Sequence, residues 1–322
     1  MNNIQIRNQE LLNSLKPPIS EEGSTIFTPI DIIDTMIDLL PIWKNKNLEK
    51  PLKDYIFLNP CCKSGYFLDR IKEKLMEELK DEFPDEKVRE THILTKQIFG
   101  IATSNFTLRL TEKTLYGSKN IDRNIYLINW DKSNKLKKLK LPQELEGMKF
   151  DIIIGNPPYQ EVVGGGDGSS ALPIYHKFVE QAIGLEPKYI TMIIPAKWYQ
   201  SKRMKNFCNN IINDHHMEEI HDFNFSDYCF PNVSIGGGVC YFLWNSKYNG
   251  PCNFYEHIKD QYNNDKIVSY DKRFLKNDYF KGIIRYNNAF SILNKIIEGK
   301  INDVNFSNLI NWVAILRIVI IM

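Results

Sequence analysis

Residues 150–159, Phe-Asp-Ile-Ile-Ile-Gly-Asn-Pro-Pro-Tyr, constrain this chain more than any other stretch, because an apolar run ends there in a rigid, polar and aromatic tetrapeptide. The three isoleucines after Asp151 lack the alternation of a half-exposed strand, so they read as a short strand buried on both faces of a parallel sheet. Gly155 lets the chain turn at the carboxyl end of that strand, where open α/β sheets bind their ligands. Pro157 and Pro158 fix two φ angles and hold Asn156 extended. Asn156, Pro157, Pro158 and Tyr159 are therefore expected in the ligand crevice of a doubly wound α/β fold.

The chemistry of these four residues suits transfer to a planar amine. The lone pair of an exocyclic amine is delocalised into its ring, and two preplaced acceptors restore it by each taking one N–H. The Asn156 side-chain oxygen and the Pro157 carbonyl are such a pair, and they oppose the positive charge that develops on nitrogen. Tyr159 adds a flat face on which a base can stack. No strong general base is needed, since the alkylated nitrogen is acidic enough to release its proton to water.

With these residues the segment resembles the signature (D/N/S)-P-P-(Y/F) of the N6-adenine DNA methyltransferases. Glutamine N-methyltransferases acting on release factors share the tetrapeptide, so the flanking motifs have to discriminate. Upstream, Phe27-Thr28-Pro29 opens a helix with Ile30, Ile33, Met36, Ile37 and Leu40 on one face. A plain helix start explains that pattern as well. By resemblance Phe27, Thr28 and Pro29 form the F-T-P segment beside the methionine part of S-adenosylmethionine, in the gamma-type motif order.

Residues 55–58 then read as a strand that ends in Asn59-Pro60-Cys61-Cys62-Lys63-Ser64-Gly65-Tyr66-Phe67-Leu68, followed by Ile71, Leu75, Met76 and Leu79 at helical spacing. Strand, tight turn and helix make a nucleotide-type cofactor site. The family pattern is close to D/E-P-x-C-G-S-G-x-F-L, and the resemblance gives Asn59, Pro60, Ser64, Gly65 and Phe67 to the cofactor. Asn59 stands where an acid is usual. Lys63 stands where glycine is usual, and its long side chain is expected to crowd the turn. A second strand is expected over residues 97–104, followed by a helix from about Phe106 to Leu115, and Ala102 stands where the family commonly has an acid for the ribose. Thr103 or Ser104 is left to substitute through a hydroxyl. A third strand, residues 125–131, places Asp131 near the cofactor adenine by the same resemblance.

Two readings of the glycine-rich residues 163–170 stay open, a linker or a loop that closes over an extruded base. A helix is expected over 173–183 and an apolar strand over 189–194, ending at Trp198 and Tyr199, for which core packing is the better reading. Tyr228-Cys229-Phe230-Pro231 resembles the family segment that leads into a late antiparallel strand. It offers Phe230 as the second stacking partner for a flipped base.

The remaining features set bounds. A chain of 322 residues with 43% hydrophobic content is globular, and its net charge of +2 neither demands nor excludes nucleic acid. Lys135, Lys137, Lys138 and Lys140 form a local basic stretch that also suits a solvated loop. Unpaired-looking cysteines and no evident signal peptide suit the cytoplasm. The histidines over 215–221 lack H-E-x-x-H spacing and read as a surface stretch entering a strand, not a metal site. Neither the Lys63-Ser64 pair nor Glu78-Leu79-Lys80 has the context of a Walker or a nuclease motif.

The resemblance covers roughly residues 24–244 and points to Eco57I-like restriction-modification methylases. It implies S-adenosylmethionine as cofactor, double-stranded DNA as substrate, a specificity or restriction subunit as a further partner, and no membrane. It assigns residues 1–245 to the methyltransferase domain and 246–322 to a partial target-recognition region with a few short strands. The apolar residues 312–322 are too few for a span of ~20 residues. Asn59, Lys63 and Ala102 keep a rival open, a non-catalytic DNA-binding remnant. An enzyme acting on a protein glutamine or on RNA is the third reading.

Overall fold

The computed structural model describes residues 26–44, 48–128, 141–163, 170–231, 233–259, 265–276 and 282–297. The chain divides into two compact units, Met1–Ile193 and Ile194–Met322.

In the first unit the helical spacing after Pro29 produces α1 (Ile30–Asp38), which buries Ile33, Met36 and Ile37. Alternating strands and helices follow: β1 (Phe57–Asn59), α2 (Tyr66–Glu78), α3 (Glu86–His92), β2 (Ile98–Ala102), α4 (Asn105–Tyr116), β3 (Ile125–Leu127) and β4 (Ile152–Gly155). A hairpin of β5 (Gln160–Val163) and β6 (Ser170–Pro173) precedes α5 (Tyr175–Gly184) and β7 (Tyr189–Pro195). The strands other than the hairpin lie parallel in the order β3-β2-β1-β4-β7. Every residue of β1, β2 and β4 is buried, as continuous apolar strands covered on both faces require. Strand order reverses between β1 and β4, and a crevice opens at such a switch point beyond the carboxyl ends of the strands. Asn59 ends β1 and Asn156 follows β4, so the two sequence segments with most chemistry flank it.

The second unit holds α6 (Lys205–Asp214), β8 (Met217–Phe223), β9 (Val239–Asn245), β10 (Cys252–Lys259), β11 (Asp265–Arg273) and α7 (Asn287–Ile297). Its strands run in the order β9-β8-β10-β11, with β9 antiparallel to β8, β10 parallel to β8, and β11 antiparallel to β10. The antiparallel β9 is the late strand expected from the sequence. Beyond Asn245 the chain forms more regular structure than its sequence suggests, since β10 and β11 are 8 and 9 residues long and extend the sheet from β8. Their alternation is interrupted by charged residues, which conceals them from a reading by period alone.

A buried ion pair fastens this unit. Arg285 donates to both carboxylate oxygens of Asp222, at 2.5 and 3.0 Å, and also to the carbonyls of Gly237 and Phe223. Gly238, at φ +71°, lies so close to the Phe223 carbonyl that a Cβ would approach it to 2.0 Å. The histidine stretch enters a strand as expected, β8, but is less superficial than its sequence suggests. His221 lies on the interior strand β8, half-buried and stacked between Tyr241 and Tyr255. No helix among the described residues is long and apolar enough to cross a membrane.

Candidate active site

Asn156 leaves β4 fully buried, 2% exposed, and its amide has a fixed orientation. Its Nδ2 donates to the Ile26 carbonyl at 3.3 Å and to the Thr28 hydroxyl at 3.0 Å. A carbonyl can only accept, so the NH2 end must face it, and Oδ1 is left as the acceptor end. That Oδ1 is buried and has no hydrogen-bond partner. Pro157 is buried and Pro158 half-buried, and the half-buried Tyr159 is tied through its carbonyl to the amide of Ile174 at 3.2 Å. Residues 160–163 and 170–173, which flank the glycine-rich run, pair as β5 and β6, while 164–169 lie outside the described residues.

Thr28 is buried and Pro29 caps α1, so the Phe27-Thr28-Pro29 segment does more than start a helix. Its Thr28 hydroxyl and the preceding carbonyl of Ile26 are the clamp on Asn156. Nothing in the local sequence announces that role, because residues more than 120 positions apart make the contact.

Asn59 is the complement of Asn156. Its Oδ1 accepts the Cys61 amide at 2.9 Å, which leaves Nδ2 as the free end, buried and without a partner. The same carboxamide explains Gly155, where a Cβ would stand 2.6 Å from Asn59 Oδ1. The turn 60–65 that follows is pinned by α4: Thr111 donates to the Lys63 carbonyl at 3.1 Å, and Thr114 to the Ser64 carbonyl at 2.8 Å. Gly65 takes φ +84°, and a Cβ there would meet the Thr111 backbone at 3.1 Å. Ser64 and Phe67 are buried beside it, and Pro60 is half-buried. An unsatisfied donor at the end of β1, next to a turn closely held by α4, fits a polar nucleotide-type ligand.

Lys63 departs from its expected role. It adopts φ +39°, the region that glycine enters at no cost, but its side chain does not fill the turn. Its Nζ donates to the Ile26 carbonyl at 3.0 Å and stands 5.8 Å from the centre of the Tyr159 ring. Burial lowers its pKa to about 8.

At the end of β2, Ala102 is fully buried and Thr103 half-buried. Ser104 caps α4: its Oγ accepts the Thr107 amide at 3.1 Å, and its own amide donates to Thr107 Oγ1. That hydroxyl is committed to the helix, so of the two substitutes for the missing acid Thr103 is the one left. Asp131 lies outside the described residues. Phe230, in the second unit, is 1% exposed, and Trp198 packs at 5.2 Å on Phe207.

The Eco57I restriction-modification methylase family matches residues 96–230. An uncharacterized adenine-specific methylase of Mycoplasma pneumoniae is 32% identical, with 74% of this chain aligned to 71% of that protein. Among solved structures, the Type ISP restriction-modification enzyme LlaGI in complex with a DNA substrate mimic is similar over 77% of this chain, at a TM-score of 0.59 and 12% identity. The DrdV–DNA complex is similar over 84%, at 0.57 and 12%. The chain spans about a quarter of the first of these structures and a third of the second.

Proposed function

We propose that this chain, which belongs to the adenine-specific methylases, methylates the exocyclic N6 of adenine in DNA, as the modification activity of a restriction-modification system. The observation that carries this reading is the Asn156 carboxamide, whose donor end is tied to Ile26 and Thr28 and whose acceptor end is left unpaired. A fixed, buried acceptor is what an amine needs if its lone pair is to be drawn out of conjugation.

In this reading Asn156 Oδ1 takes one N6 hydrogen and the Pro157 carbonyl takes the other, while Tyr159 stacks on the base. Extrusion of the adenine from the duplex is implied, because N6 cannot be approached in line within the stack. The cofactor S-adenosylmethionine supplies an electrophilic methyl group when bound. Phe27, Thr28 and Pro29 would border its methionine part. Asn59, through its free Nδ2, and the turn of Pro60, Ser64, Gly65 and Phe67 would hold it further, with Thr103 and Asp131 toward ribose and adenine. The proton leaves N6 to water once the charge has formed. Double-stranded DNA is the partner in this reading, with a separate specificity or restriction subunit as a further one. The cytoplasm is the compartment that holds both substrates.

The test is methyl transfer from labelled S-adenosylmethionine into duplex DNA, RNA and protein offered in parallel. Label in DNA, found as N6-methyladenine and abolished by Asn156→Ala, is the expected result. Label in RNA or protein alone would transfer the reading to those substrates, and no label in any pool would favour a binding remnant.

A further inference from the structure

Three segments far apart in sequence meet on one backbone carbonyl. Ile26 O accepts from Asn156 Nδ2 at 3.3 Å and from Lys63 Nζ at 3.0 Å. The same ammonium lies 5.8 Å from the centroid of the Tyr159 ring. Lys63 belongs to the turn after β1, while Asn156 and Tyr159 belong to the turn after β4, so its side chain bridges the two sides of the switch point. We propose that Lys63 is a positioning residue for the methyl transfer: its charged ammonium holds the Ile26 carbonyl that orients Asn156 and bears on the ring of Tyr159, so that the acceptor and the stacking platform are fixed relative to the cofactor turn. This inference rests on the methylation proposed above.

The physical argument is one of charge and geometry. An ammonium over a tyrosine ring is attracted by the ring quadrupole, and a charged donor makes a stronger hydrogen bond to a carbonyl than a neutral amine does. Both contacts weaken when the proton is lost. Of the groups that face Lys63, Cys61 favours the proton, but by less than burial disfavours it. Cys61 on the same turn has a thiol that burial pushes well above its ordinary value, and Cys62 is pushed up to about 12, so both are neutral near neutral pH. From α4 the Thr111 hydroxyl reaches only the Lys63 carbonyl. The 26–28 segment offers a carbonyl, and the turn after β4 offers a phenol ring. With the Lys63 pKa lowered to about 8 by burial, the charge is present at neutral pH and lost in the alkaline range.

The experiment compares the full-length wild type with Lys63→Arg and Lys63→Met, using S-adenosylmethionine and duplex DNA. Wild-type kcat is expected to fall through the Lys63 titration and to level off near the rate of the methionine variant. The arginine variant, charged throughout, should keep its rate over the same range. The methionine variant should be slow at every pH and flat, with KM for the cofactor changed less than kcat. A second readout needs no turnover: near-UV tyrosine absorbance should titrate with a midpoint near pH 8 in the wild type, and the component should vanish in both Lys63→Met and Tyr159→Phe. An alkaline limb that persists unchanged in Lys63→Met, or a tyrosine signal without that component, would overturn the proposal. If the tyrosine component is present but the wild type methylates no DNA, the coupling of Lys63 to Tyr159 stands, and the methylation reading is the part that fails.

Discussion

At the carboxyl ends of β1 and β4 stand two asparagines, each with one end of its amide tied down and the other unpaired: Asn59 keeps a free donor and Asn156 a free acceptor. Opposite ends of the same functional group are thus left unpaired at the two strand ends, and the neighbouring hydrogen bonds decide which end is which. Removing the acceptor by Asn156→Ala should lower kcat at least ~100-fold, the scale of losing one preorganised oxyanion-type contact, while cofactor binding stays near normal. Turnover close to wild type in single-turnover assays would contradict the assignment. Lys63→Gly tests a different balance. Glycine removes a left-handed backbone cost of about 1–2 kcal/mol but adds unfolded-state entropy of about 1 kcal/mol, so stability should change by about 1 kcal/mol or less. Activity should nevertheless fall, because the link from Ile26 to Tyr159 is gone. A tighter cofactor complex with undiminished turnover would restore the view that Lys63 merely crowds the turn. Asn156 was legible in the sequence as an acceptor, but the clamp of Ile26 and Thr28 was not, because no local pattern encodes a contact across 128 positions.

At the scale of elements, α4 is both a wall of the fold and the support of the turn over residues 60–65. Its Thr111 and Thr114 hold the carbonyls of Lys63 and Ser64, and Gly65 fits against it only because it has no side chain. Gly65→Ala places a Cβ at φ +84° and 3.1 Å from the Thr111 backbone. The left-handed cost and the overpacking together should destabilise by ~2–4 kcal/mol. Chemical denaturation with a lowered midpoint and an unchanged slope is the expected result, and a midpoint equal to wild type would show that the turn relaxes freely. Ser104→Ala removes only the cap of the same helix, and should cost ~1 kcal/mol. The apolar periods of α1 and α2 and the isoleucine run of β4 were readable because burial on one stripe, or on both faces, writes itself into composition. Strands β10 and β11 were poorly readable, since the buried charged residues Glu256 and Arg273 share the face of Cys252 and Phe254 and break the clean alternation.

For the whole molecule, 41 basic residues against 39 acidic ones give a net charge of only +2. A protein so nearly balanced must rely on a local cluster of cations for any contact with phosphate. The expected affinity for duplex DNA is modest, and falls steeply as salt rises from ~50 to ~200 mM through counterion release. Footprinting that reveals one tightly protected site at physiological salt would show instead that groove-reading side chains are present and presented in register.

The sequence by itself determined the architecture and the chemistry on offer. Buried isoleucines stop at Gly155, two prolines stiffen Asn156, and a strand-turn-helix surrounds Gly65, all of them properties of neighbouring residues that survive in a one-dimensional pattern. Only the tertiary structure decided how those groups are aimed. The Ile26 carbonyl chooses the face of the Asn156 amide, the Cys61 amide chooses that of Asn59, and the Ser104 hydroxyl is consumed by its own helix. Lys63 changes from an obstruction to a bridge for the same reason: a hydrogen bond depends on direction and distance between atoms, and folding sets these between segments that the sequence keeps apart.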